Sequence, residues 1–238
     1  MLKGVIFDMD GTLVDTEPVY GLAADNMFEE LGFEVTDEDR ALFVGGTLAS
    51  MWFYLRQKFH ITQDLDSLVD RNKKAFLEKI REKKGLVPMP GVVDLIQSLR
   101  EADIPLAVGT STGHDLMQVT LDLFGLSQYF PIMVSADDVE RGKPSPDIFL
   151  RAAKLMAIEP EHCLVFEDSH AGSLAAKRAE MVCVGYTQNG KNPQDLSNAD
   201  LKVADFAEVS VEDEFSIWNS PHIMRKVDSE RSSFKIIV

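Results

Sequence analysis

The sequence predicts an α/β fold: a doubly wound parallel sheet interrupted after its first strand by an all-helical insert. Three observations carry this. An unbroken apolar run, Val5, Ile6 and Phe7, opens the chain and ends at a pair of acids. Residues 17–86 show only helical periodicity, and from residue 87 onward strand-like and helix-like segments alternate. Short apolar runs rich in β-branched and aromatic residues suit strands covered on both faces, and regular strand–helix alternation puts helices on both sides of a parallel sheet. The expected division is residues 1–15 and 87–238 for the α/β core and 16–86 for the helical insert.

Each element follows from a local pattern. In "EPVYGLAADNMFEELGF", Val19, Leu22, Ala23, Met27 and Leu31 define an apolar face, Pro18 sits where a first-turn proline is tolerated, and Gly32 marks the stop. "LASMWFYLRQKF" repeats the pattern through Leu48, Met51, Trp52, Leu55 and Phe59. "SLVDRNKKAFLEKIREKKG" does so through Leu68, Val69, Phe76 and Ile80, ending at Gly85 after a lysine run suited to a helix C-terminus. In the core, "GVVDLIQSLREA" is amphipathic through Val92, Leu95, Ile96 and Leu99, and "IPLAVGTS" is a strand. "HDLMQVTLDLFG" presents Leu116, Val119, Thr120 and Leu123, and "PIMVSA" is a short strand. "SPDIFLRAAKLMAI" is a helix with Ser145 as N-cap and Pro146 at its first position. "CLVFED" and "VCVGY" are strands around the helix "SHAGSLAAKRAEM". After residue 212, either Phe215, Ile217 and Trp218 cover the sheet or "FKIIV" adds an edge strand.

Bulk properties narrow the function. The 238 residues, 45% hydrophobic, supply a substantial core. The formal net charge of −15 argues against nucleic acid, whose phosphates need clustered Lys and Arg. Small phosphate esters remain open, because one divalent cation reverses the potential of a single pocket. No apolar run approaches the ~18 residues of a membrane span. The first fifteen residues lack the features of a signal peptide, so no membrane association and a cytoplasmic location are expected. Cys163 and Cys183 lie in apolar runs and read as buried thiols rather than a disulfide or metal pair.

Ligands of open parallel sheets bind at the carboxyl ends of the strands. There the first strand carries Asp8 and Asp10, with Gly11 supplying a sharp exit. The next carries Thr110 and Ser111, "CLVF" carries Glu167 and Asp168, and Lys143 follows "PIMVSA" in the loop "RGKPSPD". Two acids so close at a partly dehydrated strand end repel unless one is protonated or a cation lies between them. Taken singly, each residue has a plainer explanation: turn-forming hydroxyls, a helix cap, a solvated lysine. An EF-hand is excluded because Gly11 falls at the fourth rather than the sixth loop position. The acidic pair alone also fits metal-dependent nucleotide-sugar glycosyltransferases. The five histidines show no paired metal spacing.

Taken together, "FDMDGTLVDTEP", the threonine of "VGTSTG", "RGKPSPDIF" and "VFEDSHAG" resemble, in order, the haloacid dehalogenase-like superfamily of phosphohydrolases. Within it they are similar to the subgroup typified by β-phosphoglucomutase and its phosphatase relatives. The resemblance implies a Rossmann-like core, with residues 16–86 as the helical cap. It implies that Asp8 is the nucleophile, forming an aspartyl-phosphate, and that Asp10 is the general acid and base. Lys143 would neutralise Asp8 and a phosphoryl oxygen. The Thr110 hydroxyl and backbone N–H groups around Gly11 and Ser111 would cradle the phosphate. Mg²⁺ would be held by Asp8, Asp168 and the Asp10 backbone carbonyl, with Glu167 behind them or as an alternative ligand. Asp15 is expected to cap the first insert helix or a turn.

The substrate is expected to be a small phosphate ester, and a monomer suffices for an enclosed cap and core. Mutases of this subgroup carry a histidine in the linker entering the cap and an arginine in the cap's substrate loop. Here Tyr20 and the cation-free "FVGGTLASM" stand at the matching positions, although Lys73 or Lys74 could supply a cap cation. A phosphatase with water as final acceptor is therefore expected first, a phosphosugar mutase second and a non-catalytic binding module last.

Overall fold

The computed structural model describes residues 2–43, 45–82, 86–212 and 234–237. In chain order these form β1 (Gly4–Phe7), α1 (Glu17–Leu31), α2 (Asp37–Ala41), α3 (Leu48–Phe59), α4 (Leu65–Arg81), α5 (Val92–Glu101) and β2 (Leu106–Gly109). There follow α6 (His114–Leu123), β3 (Ile132–Val134), α7 (Asp147–Met156), β4 (Cys163–Glu167), α8 (His170–Arg178) and β5 (Val182–Tyr186). β6 (Leu201–Val203), β7 (Val209–Glu212) and β8 (Phe234–Ile237) complete the set. Six strands make one parallel sheet in the order β3-β2-β1-β4-β5-β6.

Strand alternation sorts the core onto two faces of this sheet. Val5 and Phe7 of β1 join Leu106, Val108, Leu164 and Phe166 on one face, under α5 and α6. The rings of Phe7 and Phe166 stack there with centroids 5.0 Å apart. Ile6, Ala107 and Val165 point the other way, against Ile148, Phe149, Ala152 and Ala153 of α7 and Ala175 and Ala176 of α8. With helices on both faces the sheet is doubly wound, as expected. Both cysteines are free and buried in it.

The insert helices pack on one another and against α6. Trp52 of α3 is fully buried beside Phe28 and Leu68, and its indole N–H donates to Asn72 Oδ1 at 3.0 Å. The face of α1 is rotated from the expected one. Ala24 and Phe28 are buried, while Leu22 is 58% exposed, because α1 packs against α4 on one side and under Trp52 on the other. α6 likewise turns Met117 and Leu121 to the sheet and Leu116 to Phe76 and Ile80 of α4.

Other local expectations are corrected. α7 begins at Asp147 with Pro146 at the N-cap position. Ser145 donates its hydroxyl to the Asp147 carboxylate (2.7 Å) rather than accepting a helix N–H. α2 and β6 are too short to show a period. The α4 stop at Gly85 and the Phe215–Ile217–Trp218 alternative lie outside the described residues. β8, part of "FKIIV", pairs in parallel with β7 in a separate two-stranded sheet rather than on the six-stranded edge.

Candidate active site

β1, β2 and β4 are neighbours in register, so the residues after Phe7, Gly109 and Phe166 emerge together. Asp8 is tied to the sheet by its N–H, which donates to the Phe166 carbonyl at 2.9 Å. Met9, between the two acids, is buried in the core, leaving Asp8 and Asp10 to face the strand-end crevice.

Lys143 crosses from the loop after β3, with Nζ 2.5 Å from Asp8 Oδ1 and 2.8 Å from Glu167 Oε1. The Phe149 ring lies 4.7 Å from Nζ. The other oxygen of Glu167 accepts the Ser169 N–H (2.6 Å) and hydroxyl (2.9 Å). Both Glu167 oxygens are thus engaged, and Glu167 stands behind Lys143 as its anchor. Ser169, which sequence reasoning missed, also caps α8 by accepting the Gly172 N–H at 3.0 Å. A Cβ at Gly172 would overlap the Glu167 carboxylate.

Asp10 has a different environment. Oδ1 accepts from Thr16 (2.6 Å), and Oδ2 accepts from Thr112 (2.7 Å) and Thr110 (3.2 Å). The Tyr20 hydroxyl lies 2.8 Å from Thr112 Oγ1; since that hydroxyl's one proton goes to Asp10, Tyr20 donates to it. Thr16 and Thr112 were missed because isolated threonines near a turn carry no distinguishing pattern. Asp15 is exposed and does not cap α1. The N-cap position is Thr16, whose side chain is turned to Asp10.

Asp168 is buried, with Oδ1 3.3 Å from Thr12 Oγ1. Gly11 lies beside it at φ +81°, where a Cβ would overlap Asp168 Oδ2. The Gly11 N–H itself donates to the Val14 carbonyl at 2.8 Å, which leaves any cradling of a phosphate to the N–H groups around it. Gly11 contributes the turn and the room for Asp168 instead. Ser111 donates its hydroxyl to the Gly45 carbonyl at 2.8 Å, joining the insert's loop to the core.

Burial dominates the electrostatics. It pushes the Asp8 carboxyl up to about 8, against the pull of Lys143 and with the help of Glu167 and Asp10. Burial also raises Asp10, partly offset by its three hydroxyl donors. Asp168 is raised by burial and then by Glu167 and Asp8. Burial opposes the charge on Lys143, but Asp8 and Glu167 outweigh it and the ammonium is held charged. Four carboxyl groups therefore surround one ammonium, a donor set short of positive charge. Among the described residues, no three carboxylate, histidine or cysteine side chains cluster as a complete metal site. The Asp8 and Asp168 carboxylates are oxygen donors of the kind a hard divalent ion takes, and Gly11, lacking a Cβ, lets Asp168 stand against the turn after β1.

The parallel sheet with a lysine-paired aspartate at the end of β1 has the arrangement that the resemblance of the motifs implied. The family model "Haloacid dehalogenase-like hydrolase" matches residues 5–186. The chain is 31% identical over 211 residues to validoxylamine A 7'-phosphate phosphatase of Streptomyces hygroscopicus subsp. limoneus, covering 88% of this chain and 96% of that protein. It is 34% identical over 182 residues to fructose-1-phosphate phosphatase YqaB of Escherichia coli, covering 76% and 94%. A crystal structure of β-phosphoglucomutase from Clostridium difficile shares the fold with a TM-score of 0.76 at 22% identity, covering 87% and 92%. The chain belongs to the haloacid dehalogenase-like hydrolases and is a phosphoric monoester hydrolase.

Proposed function

We propose that the chain hydrolyses a small sugar or sugar-like phosphate monoester, with Mg²⁺, through an aspartyl-phosphate on Asp8. The observation that carries this is the contrast between two neighbouring acids: Asp8 is paired with the Lys143 ammonium, whereas three hydroxyls surround Asp10. Acids so divided in environment take divided roles. The relatives' substrates, validoxylamine A 7'-phosphate and fructose 1-phosphate, support a polyhydroxylated monoester.

In the first step an Asp8 oxygen forms a bond to phosphorus while the ester P–O bond breaks. The proton held by buried Asp10 passes to the departing alkoxide. In the second, water attacks phosphorus and gives a proton to Asp10 as the Asp8–phosphorus linkage opens and inorganic phosphate leaves. Lys143 remains on Asp8 and Glu167 and offsets charge on a phosphoryl oxygen, while Thr110 and Ser111 line the approach from β2. Mg²⁺, held by Asp8, Asp168 and the Asp10 carbonyl, would neutralise the two anions brought together. The insert serves as a cap whose Gly45 loop meets Ser111.

The test is Mg²⁺-dependent release of phosphate from p-nitrophenyl phosphate and from a panel of sugar and polyol phosphates. Asp8→Asn is expected to lower turnover by more than about 10⁴-fold; a variant that still turns over sinks the covalent route. Conversion of β-glucose 1-phosphate, with a trace of the 1,6-bisphosphate, into glucose 6-phosphate rather than glucose would favour a mutase instead.

A further inference from the structure

The loop after β5 carries a feature that neither the motifs nor the mechanism uses. Gln188, Asn189 and Gly190 all adopt left-handed backbone, with φ of 52°, 55° and 78°. For the two non-glycine residues this costs on the order of 1–3 kcal/mol each, and such strain persists only where the surroundings impose it. Backbone bonds impose it here: the Thr187 N–H donates to Val203 (2.8 Å) and the Asn189 N–H to Ala204 (2.9 Å). The consequence is that two amide side chains reach back over the acidic crevice. Gln188 Nε2 donates to the Gly11 carbonyl at 3.0 Å and lies 3.5 Å from Asp168 Oδ2. Asn192 Nδ2 donates to the Asp168 backbone carbonyl at 2.5 Å and to the Tyr186 carbonyl at 3.1 Å.

We infer that Gln188, supported by Asn192, is a positioning residue for divalent-cation binding. It joins the turn after β1 to the Asp168 carboxylate and sets the separation of the oxygen ligands those two segments supply. This rests on the proposed assignment of Asp168 as a metal ligand. The physical reason is that the Asp8 and Asp168 carboxylates, once ionised, repel each other unless an ion lies between them. An amide donor anchored on the Gly11 carbonyl holds Asp168 in place at no cost in charge, and outer partners of this kind typically govern affinity by about 10–100-fold.

The experiment is Mn²⁺ binding to the full chain, read by electron paramagnetic resonance of the free ion, for wild type, Asp168→Asn, Gln188→Met and Gln188→Gly. Methionine keeps the side chain's length without a donor; glycine removes the side chain without strain at φ 52°. Both Gln188 variants are expected to raise the dissociation constant by about 10–100-fold, while KM for p-nitrophenyl phosphate at saturating metal moves by less than about threefold. Wild-type affinity in a folded Gln188 variant overturns the inference, as does loss of the fold in both variants, which would make the residue a stability element. If wild type binds Mn²⁺ and Asp168→Asn binds it equally well, the ligand assignment under the proposed function has failed instead.

Discussion

At the scale of single residues, the site depends on small side chains as much as on charged ones. Gly172 can approach Glu167 only because it lacks a Cβ, and Glu167 in turn holds Lys143 on Asp8. Gly172→Ala is therefore expected to displace the glutamate. It should cost about 1–3 kcal/mol of stability by overpacking, seen as a lower Tm, and reduce kcat more than the KM for p-nitrophenyl phosphate. Asp8, Asp10, Thr110, Lys143, Glu167 and Asp168 were all legible in the sequence, because charged and hydroxyl residues at strand ends interrupt an otherwise apolar texture. Thr16, Thr112, Ser169 and Gln188 were not. Thr112 and Gln188 bond groups 102 and 177 positions away, and although the partners of Thr16 and Ser169 are near in sequence, a side-chain contact of 2.6–3.0 Å is not something residue type records.

At the scale of elements, hydrophobic period and helix-end signals located the long helices, but the period did not always give the buried face. α1 shows why: a helix contacting neighbours on two sides buries a wide face, and the neighbours decide which edge of it is covered. The observed packing predicts that Leu22→Lys changes stability by less than about 0.5 kcal/mol. Phe28→Ala, removing a ring packed on Trp52, should cost about 3–5 kcal/mol. Urea denaturation of both variants checks this, and a large loss at Leu22 would restore the face read from the period. The strands β1, β2, β4 and β5 were legible because full burial makes them continuous apolar runs. β6, only three residues long, has too few positions to show any alternation.

For the whole molecule, the concentration of buried acid makes stability depend on pH and on cation. The Asp8 carboxyl, at about 8 in the fold against a usual value near 3.8, binds its proton more tightly folded than unfolded. Its contribution is therefore complete below about pH 4 and is lost as pH rises through 8; the raised Asp168 carboxyl acts in the same direction. Asp39 works oppositely: the bond from Lys58 is the main cause holding its carboxyl down to about 2, so its stabilisation is lost as pH falls through that range. The Tm of metal-free protein is expected to fall between pH 5 and about 8, and saturating Mg²⁺ should flatten that fall. A metal-free Tm that rises steadily over this window would contradict the assignment of buried, proton-binding carboxyls at the strand ends.

The sequence by itself determined the alternation of strands and helices, the insertion after the first strand, and which residues stand at strand ends, since these follow from local burial and chain punctuation. Only the tertiary structure decided that Asp10 sits among hydroxyls and Asp8 beside Lys143, that Glu167 faces the lysine, and that the loop at Gln188 reaches Asp168. Those outcomes depend on how segments far apart in the chain are brought to one edge of the sheet, where partners compete for each oxygen over tenths of an ångström.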